Sequence, residues 1–163
     1  MKLLKDIMKN QLSENASVLI IGNEILSGRT IDKNFNFIAS KLNEHGISIS
    51  ESRTVSDNEQ EIINAINELR KKYNYVFTTG GIGPTHDDVT AESISKAFNV
   101  ELEINEEAYK ILEDYYKELG SEFNDVRQRM ARIPKGASLI KNDISAAPGF
   151  NIENVYVLSL IHI

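Results

Sequence analysis

"YVFTTGGIGPTHDDVT", residues 75–90, sets a β-branched and aromatic run directly against three glycines, a proline, a histidine and two adjacent aspartates. Its first five residues read as a strand, 75–79, because branched and aromatic side chains suit a covered, pleated surface. The remainder reads as a glycine loop that leaves the strand and delivers the chain to a helix over about 87–98. Strand, loop and helix in that order is the building unit of an open α/β sheet, so the flanking sequence decides whether the unit repeats.

It does repeat upstream. "SVLIIG", 17–22, is a continuous apolar run ending in glycine, as expected of a strand buried on both faces. Phe35, Ile38 and Leu42 then recur at helical spacing up to Gly46, a helix stop. A second strand is expected over 47–55. Ser56 with Glu59 forms a capping-box pattern, and Ile62, Ile66 and Leu69 supply the apolar face of the next helix. The order β-α-β-α-β-α predicts an α/β fold with a mostly parallel sheet covered on both faces. Beyond residue 100, Ala108, Leu112, Tyr115 and Leu119 predict a helix closed by Gly120. Phe123, Val126, Met130 and Ile133 predict a second one, stopped by Pro134. "ASLI", "APGFNI" and "VYVL" follow as short β pieces, with Glu153 and Asn154 as a two-residue turn between the last two.

The 163 residues suit one domain able to bury roughly 70% of the surface its unfolded chain exposes. With 41% hydrophobic and 26% charged residues the chain is ordinary globular, and the net charge of −6 with scattered basic residues argues against a nucleic-acid partner. No cysteine is present, which removes disulfides, thiolate nucleophiles and Cys-based zinc sites and suits a reducing cytoplasm. Residues 1–15 read as an amphipathic lead-in without a secretory signal, and no apolar run is long enough to span a bilayer. A cytoplasmic location is expected.

Ligands of open α/β sheets bind outside the carboxyl ends of the strands. Two loops meet that condition, 22–34 after the first strand and 80–90 after the third. Gly80, Gly81 and Gly83 let backbone amides approach an anion, most often a phosphate, while the following helix aims free N–H groups at it. Asp87 and Asp88 beside such a phosphate would repel it, and a divalent cation such as Mg²⁺ resolves that conflict. The plain alternative is that the aspartates cap the helix. Asp88 with Thr90 is the pair expected at the site, with Asp87 as the cap and second candidate metal ligand. His86 is a proton donor or a solvated loop residue, and His45 and His162 are expected to be structural. In the first loop Glu24 and Asp32 offer a metal or ribose contact or are surface charges, while Ser27 and Thr30 bond phosphate or make local turns.

"IIGNEILSGRTIDKN" (20–34), "TTGGIGPTHDDVT" (78–90) and "RMARIPKGASLIKNDISAAPGF" (129–150) together resemble the molybdopterin-binding domain shared by the MoaB/Mog proteins and the amino-terminal half of the CinA competence/damage-inducible proteins. The resemblance is closest to the CinA-like branch and covers about residues 16–157. It implies a three-layer α/β/α sandwich with a crevice at the glycine loop. In Mog-type members the acid that falls on Asp88 serves the adenylylation of molybdopterin with ATP and Mg²⁺. CinA-like domains are associated with metal-dependent cleavage of diphosphate-linked dinucleotides such as ADP-ribose or FAD. The resemblance thus implies catalytic Asp88 and a phosphorylated small molecule, molybdopterin or a dinucleotide, with a metal; joined to the reading of the loops, the expected metal ligands are Asp88 and Asp87 and the expected ligand contacts Gly80, Gly81, Gly83, Thr85, Thr90, Gly22, Glu24 and Ser27. A non-catalytic pterin or nucleotide sensor is the third reading. Mog-type relatives form trimers, so a homo-oligomer is expected by analogy.

Two departures accompany the resemblance. Many relatives carry Asp where this chain has Asn23, so one carboxylate is absent. The chain also ends "LSLIHI", 158–163, where the family continues with a Gly-Val-Pro loop and further helix. Those six residues match one reading frame of a transposon-end adapter, so they are expected to be a foreign tail on a domain incomplete at its carboxy end, the alternative being a genuine final strand, which their apolar content permits.

Overall fold

The computed structural model describes residues 14–85, 88–142 and 146–158. Strand β1 (Asn15–Ile21) lies at the centre, and every residue from Ala16 to Ile21 is buried. Successive side chains of a strand point to opposite faces, so a run buried on both faces must be almost wholly apolar, and Ser17 is the one polar side chain in it. Val18 and Ile20 accordingly pack with Ile38 on one face, while Leu19 and Ile21 join the larger core on the other. Each such side chain contributes about 1.5–3 kcal/mol by leaving water.

β1 is flanked by β2 (Ser48–Val55) and β3 (Tyr75–Thr79), parallel to both. β3 also pairs in parallel with β8 (Val155–Leu158), which is antiparallel to β7 (Gly149–Ile152), itself antiparallel to β6 (Ser138–Ile140). The sheet order is β2-β1-β3-β8-β7-β6. The turn at Glu153 and Asn154 joins β7 to β8, with Glu153 in the left-handed region. Leu158, the first of the six terminal residues, pairs with Thr79 as the end of β8. Residues 159–163 and most of the lead-in lie outside the described residues.

Helices cover both faces. After the short α1 (Asn23–Leu26), α2 (Asn34–Glu44) lays Ile38 on one face. α3 (Glu59–Lys72) and α4 (Thr90–Ala97) cover the other through Ile62, Ala65, Ile66, Leu69, Ile94 and Ala97. This is the expected α/β/α sandwich. His45, at the end of α2, bonds the Lys41 carbonyl through Nδ1 at 2.9 Å. Among the described residues no helix is long and apolar enough to cross a membrane.

Three expectations need correction. The cap of α3 is Asn58, whose Oδ1 accepts the Glu61 N–H at 3.1 Å, and Ser56 instead donates its hydroxyl to the Glu61 carboxylate at 2.6 Å. An acceptor two residues later wins because Asn58 holds the extended backbone a cap needs. The helix expected from about 87 begins at Thr90, with Val89 before it and no side-chain cap.

The largest correction concerns the second helix of the 100–134 stretch. α5 (Glu106–Glu118) forms as read, but only α6 (Asp125–Gln128) and a 3₁₀ turn at Arg129–Ala131 follow it. The chain then extends as β5 (Arg132–Pro134), paired antiparallel with β4 (Leu102–Ile104) in a separate two-stranded sheet. Ile133 reaches the core from a strand rather than from a helix face. Tertiary pairing with residues 30 positions upstream overrode the local period, which cannot register a distant partner.

Candidate functional site

The loops leaving β1 and β3 meet at the carboxyl end of the sheet, where Gly22 donates its N–H to the Val55 carbonyl at 3.1 Å. Gly80 and Gly81 both hold positive φ, 94° and 66°. A Cβ on Gly80 would strike the Ile21 carbonyl oxygen, and one on Gly81 would strike the Thr90 hydroxyl. Only glycine lets the loop turn this tightly against β1. Thr90, fully buried, donates its hydroxyl to the Gly80 carbonyl at 3.0 Å and its N–H to the Gly81 carbonyl at 3.1 Å. Its hydroxyl proton is therefore spent on fastening the loop to α4. The N–H groups of Ile82 and Gly83 have no protein acceptor among the described residues.

Asp88 lies against the loop. Its Oδ2 accepts the Thr85 hydroxyl at 2.6 Å and the Thr85 N–H at 2.8 Å, and sits 2.7 Å from where a Cβ on Gly83 would be. Gly83 thus leaves room for this carboxylate. Oδ1 takes no hydrogen bond among the described residues. His86 and Asp87 lie outside the described residues, as does His162.

Asp88 is common to three cavities. The principal cleft, about 710 Å³, runs from Thr79 and the glycines past Glu24 and Ile31 to Tyr115 and Met130. A second cavity of about 490 Å³ joins Asp88 and Thr85 to Asn23, Glu24, Arg29 and Asp57. The third is only about 40 Å³ and joins Asp88, Thr85 and Gly83 to Arg129 and Arg132 over an apolar wall of Ile133 and Phe150.

The acids of the first loop divide in two. Asp32 is no open ligand: its carboxylate accepts the N–H groups of Asn34 and Phe35, both at 3.1 Å, and so satisfies the first turn of α2. Glu24 folds its carboxylate over Gly22, and that carboxylate carries no hydrogen bond or ion pair among the described residues. Asn23 exchanges hydrogen bonds with Asp57, its N–H donating to Oδ2 at 2.9 Å while the Asp57 N–H donates to Asn23 Oδ1 at 3.4 Å. Ser27 makes local bonds only, donating to the Glu24 carbonyl at 3.2 Å and accepting from Arg29 Nε at 3.0 Å. The Thr30 N–H donates to the Glu24 carbonyl at 3.1 Å.

Several lining residues escaped the sequence reading, among them Thr79, Asp57, Arg129, Arg132 and Tyr115. Thr79 is the most telling, because it is 1% exposed, lines the principal cleft, and has a hydroxyl with no partner among the described residues. A buried hydroxyl without a partner costs about 1–3 kcal/mol, which a ligand can return. Among the described residues no three His, Asp or Glu side chains cluster as a ready-made metal site. Carboxylates able to hold a cation jointly with a ligand are those of Asp88 and Glu24.

Solved structures of similar architecture include CinA of unknown function from Thermoplasma acidophilum, 34% identical with a TM-score of 0.82 over 91% of this chain and 89% of that one. The tungsten cofactor synthesizing protein MoaB from Pyrococcus furiosus shares the fold at 24% identity and a TM-score of 0.56, covering 91% of this chain and 82% of that one. Among curated relatives, a Pyrococcus abyssi protein is 43% identical over 147 residues, 85% of this chain and 58% of its own length. One from Sulfurisphaera tokodaii is 42% identical over 138 residues, 84% of this chain and 52% of its own length. The chain thus spans a little over half the length of these relatives. The model of the probable molybdopterin binding domain matches residues 17–160, and the chain belongs to that family.

Proposed function

We propose that the cleft binds a phosphorylated heterocycle with its phosphate on the glycine loop, and that the intact protein hydrolyses a diphosphate linkage of the ADP-ribose or FAD type beside Asp88. The carrying observation is the meeting, in one cleft, of open N–H groups at Ile82 and Gly83, the unpaired Thr79 hydroxyl and an unpaired carboxylate oxygen of Asp88. The first three suit a phosphate, and the fourth suits a cation or a water proton.

The donor set fits a hard divalent ion, since Mg²⁺ is held by one or two carboxylates plus substrate phosphates, and Asp88 and Glu24 are such carboxylates. When bound, the ion supplies charge neutralisation and polarises the phosphoryl oxygens. The chain's own residues do the rest. Thr85 holds Asp88 in place through two hydrogen bonds, and Thr90 holds the loop. Asp88 Oδ1 orients a water and accepts its proton; the water oxygen bonds one phosphorus, and the bridging oxygen leaves with the P–O electron pair and takes up a proton from solvent. ADP-ribose would give AMP and ribose 5-phosphate.

A second reading is favoured by the family itself, whose description names molybdopterin. Here the phosphate of molybdopterin attacks the α-phosphorus of ATP and pyrophosphate leaves. Incubating the protein with Mg²⁺ and ADP-ribose, and separately with ATP and molybdopterin, separates the readings by which substrate disappears. Asp88→Asn is expected to lower turnover of the consumed substrate by roughly a hundredfold or more while circular dichroism is unchanged. Saturable binding with no product from either mixture would leave a sensor and end the hydrolase proposal.

A further inference from the structure

The smallest of the three cavities around Asp88 is the one whose chemistry the fold does not explain. Arg129, from the 3₁₀ turn, and Arg132, from β5, both line it, and neither has an ion-pair partner among the described residues. Several basic side chains elsewhere are engaged, Arg53 with Glu51 and Glu68, Lys72 with Glu51, Lys96 with Glu59 and Glu92, whereas Lys33, Lys71 and Lys117 have no ion pair among the described residues either but line none of the three cavities around Asp88. Glu92, which also lines the cavity, is held by Lys96 at 3.3 Å. The two arginines thus share this cavity with Asp88, one of whose carboxylate oxygens takes no hydrogen bond among the described residues.

Space and position narrow the occupant. About 40 Å³ admits a small anionic group and no ring. Ile133 and Phe150 give the cavity an apolar wall, which strengthens charge-assisted hydrogen bonds made inside it. Guanidinium forks match phosphoryl oxygens in geometry. The cavity shares Ile82, Gly83, Asp88 and Met130 with the principal cleft, so one molecule can reach both.

We propose that Arg129 and Arg132 form a second phosphate subsite, so that a diphosphate ligand bridges Asp88 with one phosphate on the glycine loop and the other between the two arginines. This rests on the reading of the principal cleft as a phosphate site, and names the side chains that hold the second phosphate of the diphosphate.

The test uses inorganic pyrophosphate and inorganic phosphate as probes, titrated calorimetrically into the protein in Mg²⁺ buffer. Pyrophosphate is expected to bind more tightly than phosphate. Arg129→Gln combined with Arg132→Gln should weaken pyrophosphate by about tenfold or more and leave phosphate within about twofold. Arg132→Lys, which keeps the charge and loses the fork, reports on folding and should fall in between. Pyrophosphate affinity unchanged in the double variant, or no preference over phosphate in the parent, overturns the subsite. Failure of the hydrolase reading shows separately, as intact ADP-ribose in a protein that still distinguishes the two anions.

Discussion

The two ends of the same three strands are built to opposite rules. At the amino ends, polar groups close on one another. Asn15 and Asn74 exchange N–H to Oδ1 bonds at 3.1 and 3.2 Å, the Tyr75 hydroxyl meets Glu14 at 2.8 Å, and Asn154 Nδ2 bonds the carbonyls of Arg70 and Tyr73, both at 2.9 Å. At the carboxyl ends Thr79, Glu24 and one oxygen of Asp88 stay unpaired among the described residues. Glu24 is exposed and Asp88 half-buried, but Thr79 is buried, and because buried polar groups are ordinarily satisfied its unpaired hydroxyl marks either strain or a place reserved for a ligand. Ser17, near the amino end of β1, is also buried without a partner, so what distinguishes the carboxyl end is that its unpaired groups line the cleft.

The largest way to break the contrast is to close the open end by force. Gly80→Ala puts a methyl group against the Ile21 carbonyl at a φ of 94°, and β1 and β3 must part to accept it. The expected loss is about 3 kcal/mol of stability, read as a lowered denaturation midpoint, together with loss of ligand binding. Gly28→Ala is the matched control. It shares a positive φ, 74°, but a Cβ there meets nothing within 4 Å, so only the smaller backbone cost of about 1 kcal/mol is expected.

The closed region predicts a pH dependence of intermediate size. Glu51 on β2 accepts hydrogen bonds from the Tyr73 hydroxyl at 2.7 Å, from Arg53 at 2.7 Å and from Lys72 at 3.0 Å. The Tyr73 bond first, then those of Arg53 and Lys72, hold its carboxyl down at about 2. A carboxyl depressed in the folded state adds stability that is complete above its ordinary value near 4.5 and is lost as pH falls toward 2. After allowance for solvent screening, about 1–2 kcal/mol is expected. Denaturant titrations at pH 7, 4.5 and 3 should show that slope in the parent and a shallower one in Glu51→Gln. Identical slopes would mean that the network is not closed in solution.

The contrast also explains which parts were legible in the sequence. β1, β3 and their helices were readable because a buried parallel strand is rich in apolar and β-branched residues and its helices carry one apolar stripe. The glycine loop was readable because Gly80 and Gly81 answer a local steric demand. β5 was not, since Phe123, Val126, Met130 and Ile133 keep helical spacing while the decisive partner, β4, lies far upstream. Arg129 and Arg132 read as scattered charge for the same reason. Asp57 stands 34 positions from Asn23, and no spacing rule links them. Thr79 was counted as a strand former, because whether a hydroxyl finds a partner is a property of the packed molecule.

Thr79 gives the smallest expected effect and the sharpest sign. Thr79→Val keeps the shape and exchanges an unpaired hydroxyl for a methyl group, so the free protein should gain about 1 kcal/mol. Thr78 and Ser17 are also buried with unpaired hydroxyls, yet neither lines the cleft. Thr78→Val should therefore give the same gain with ligand affinity unchanged, whereas Thr79→Val should weaken the ligand by about fivefold to tenfold. Thr90→Val, which removes the bond to the Gly80 carbonyl, should instead destabilise by about 1 kcal/mol. A stability loss in Thr79→Val would show that its hydroxyl already has a partner in the free protein. Equal ligand affinities in the two Thr→Val variants would detach the unpaired hydroxyl from binding, and the open end of the sheet would rest on Asp88 and the loop amides alone.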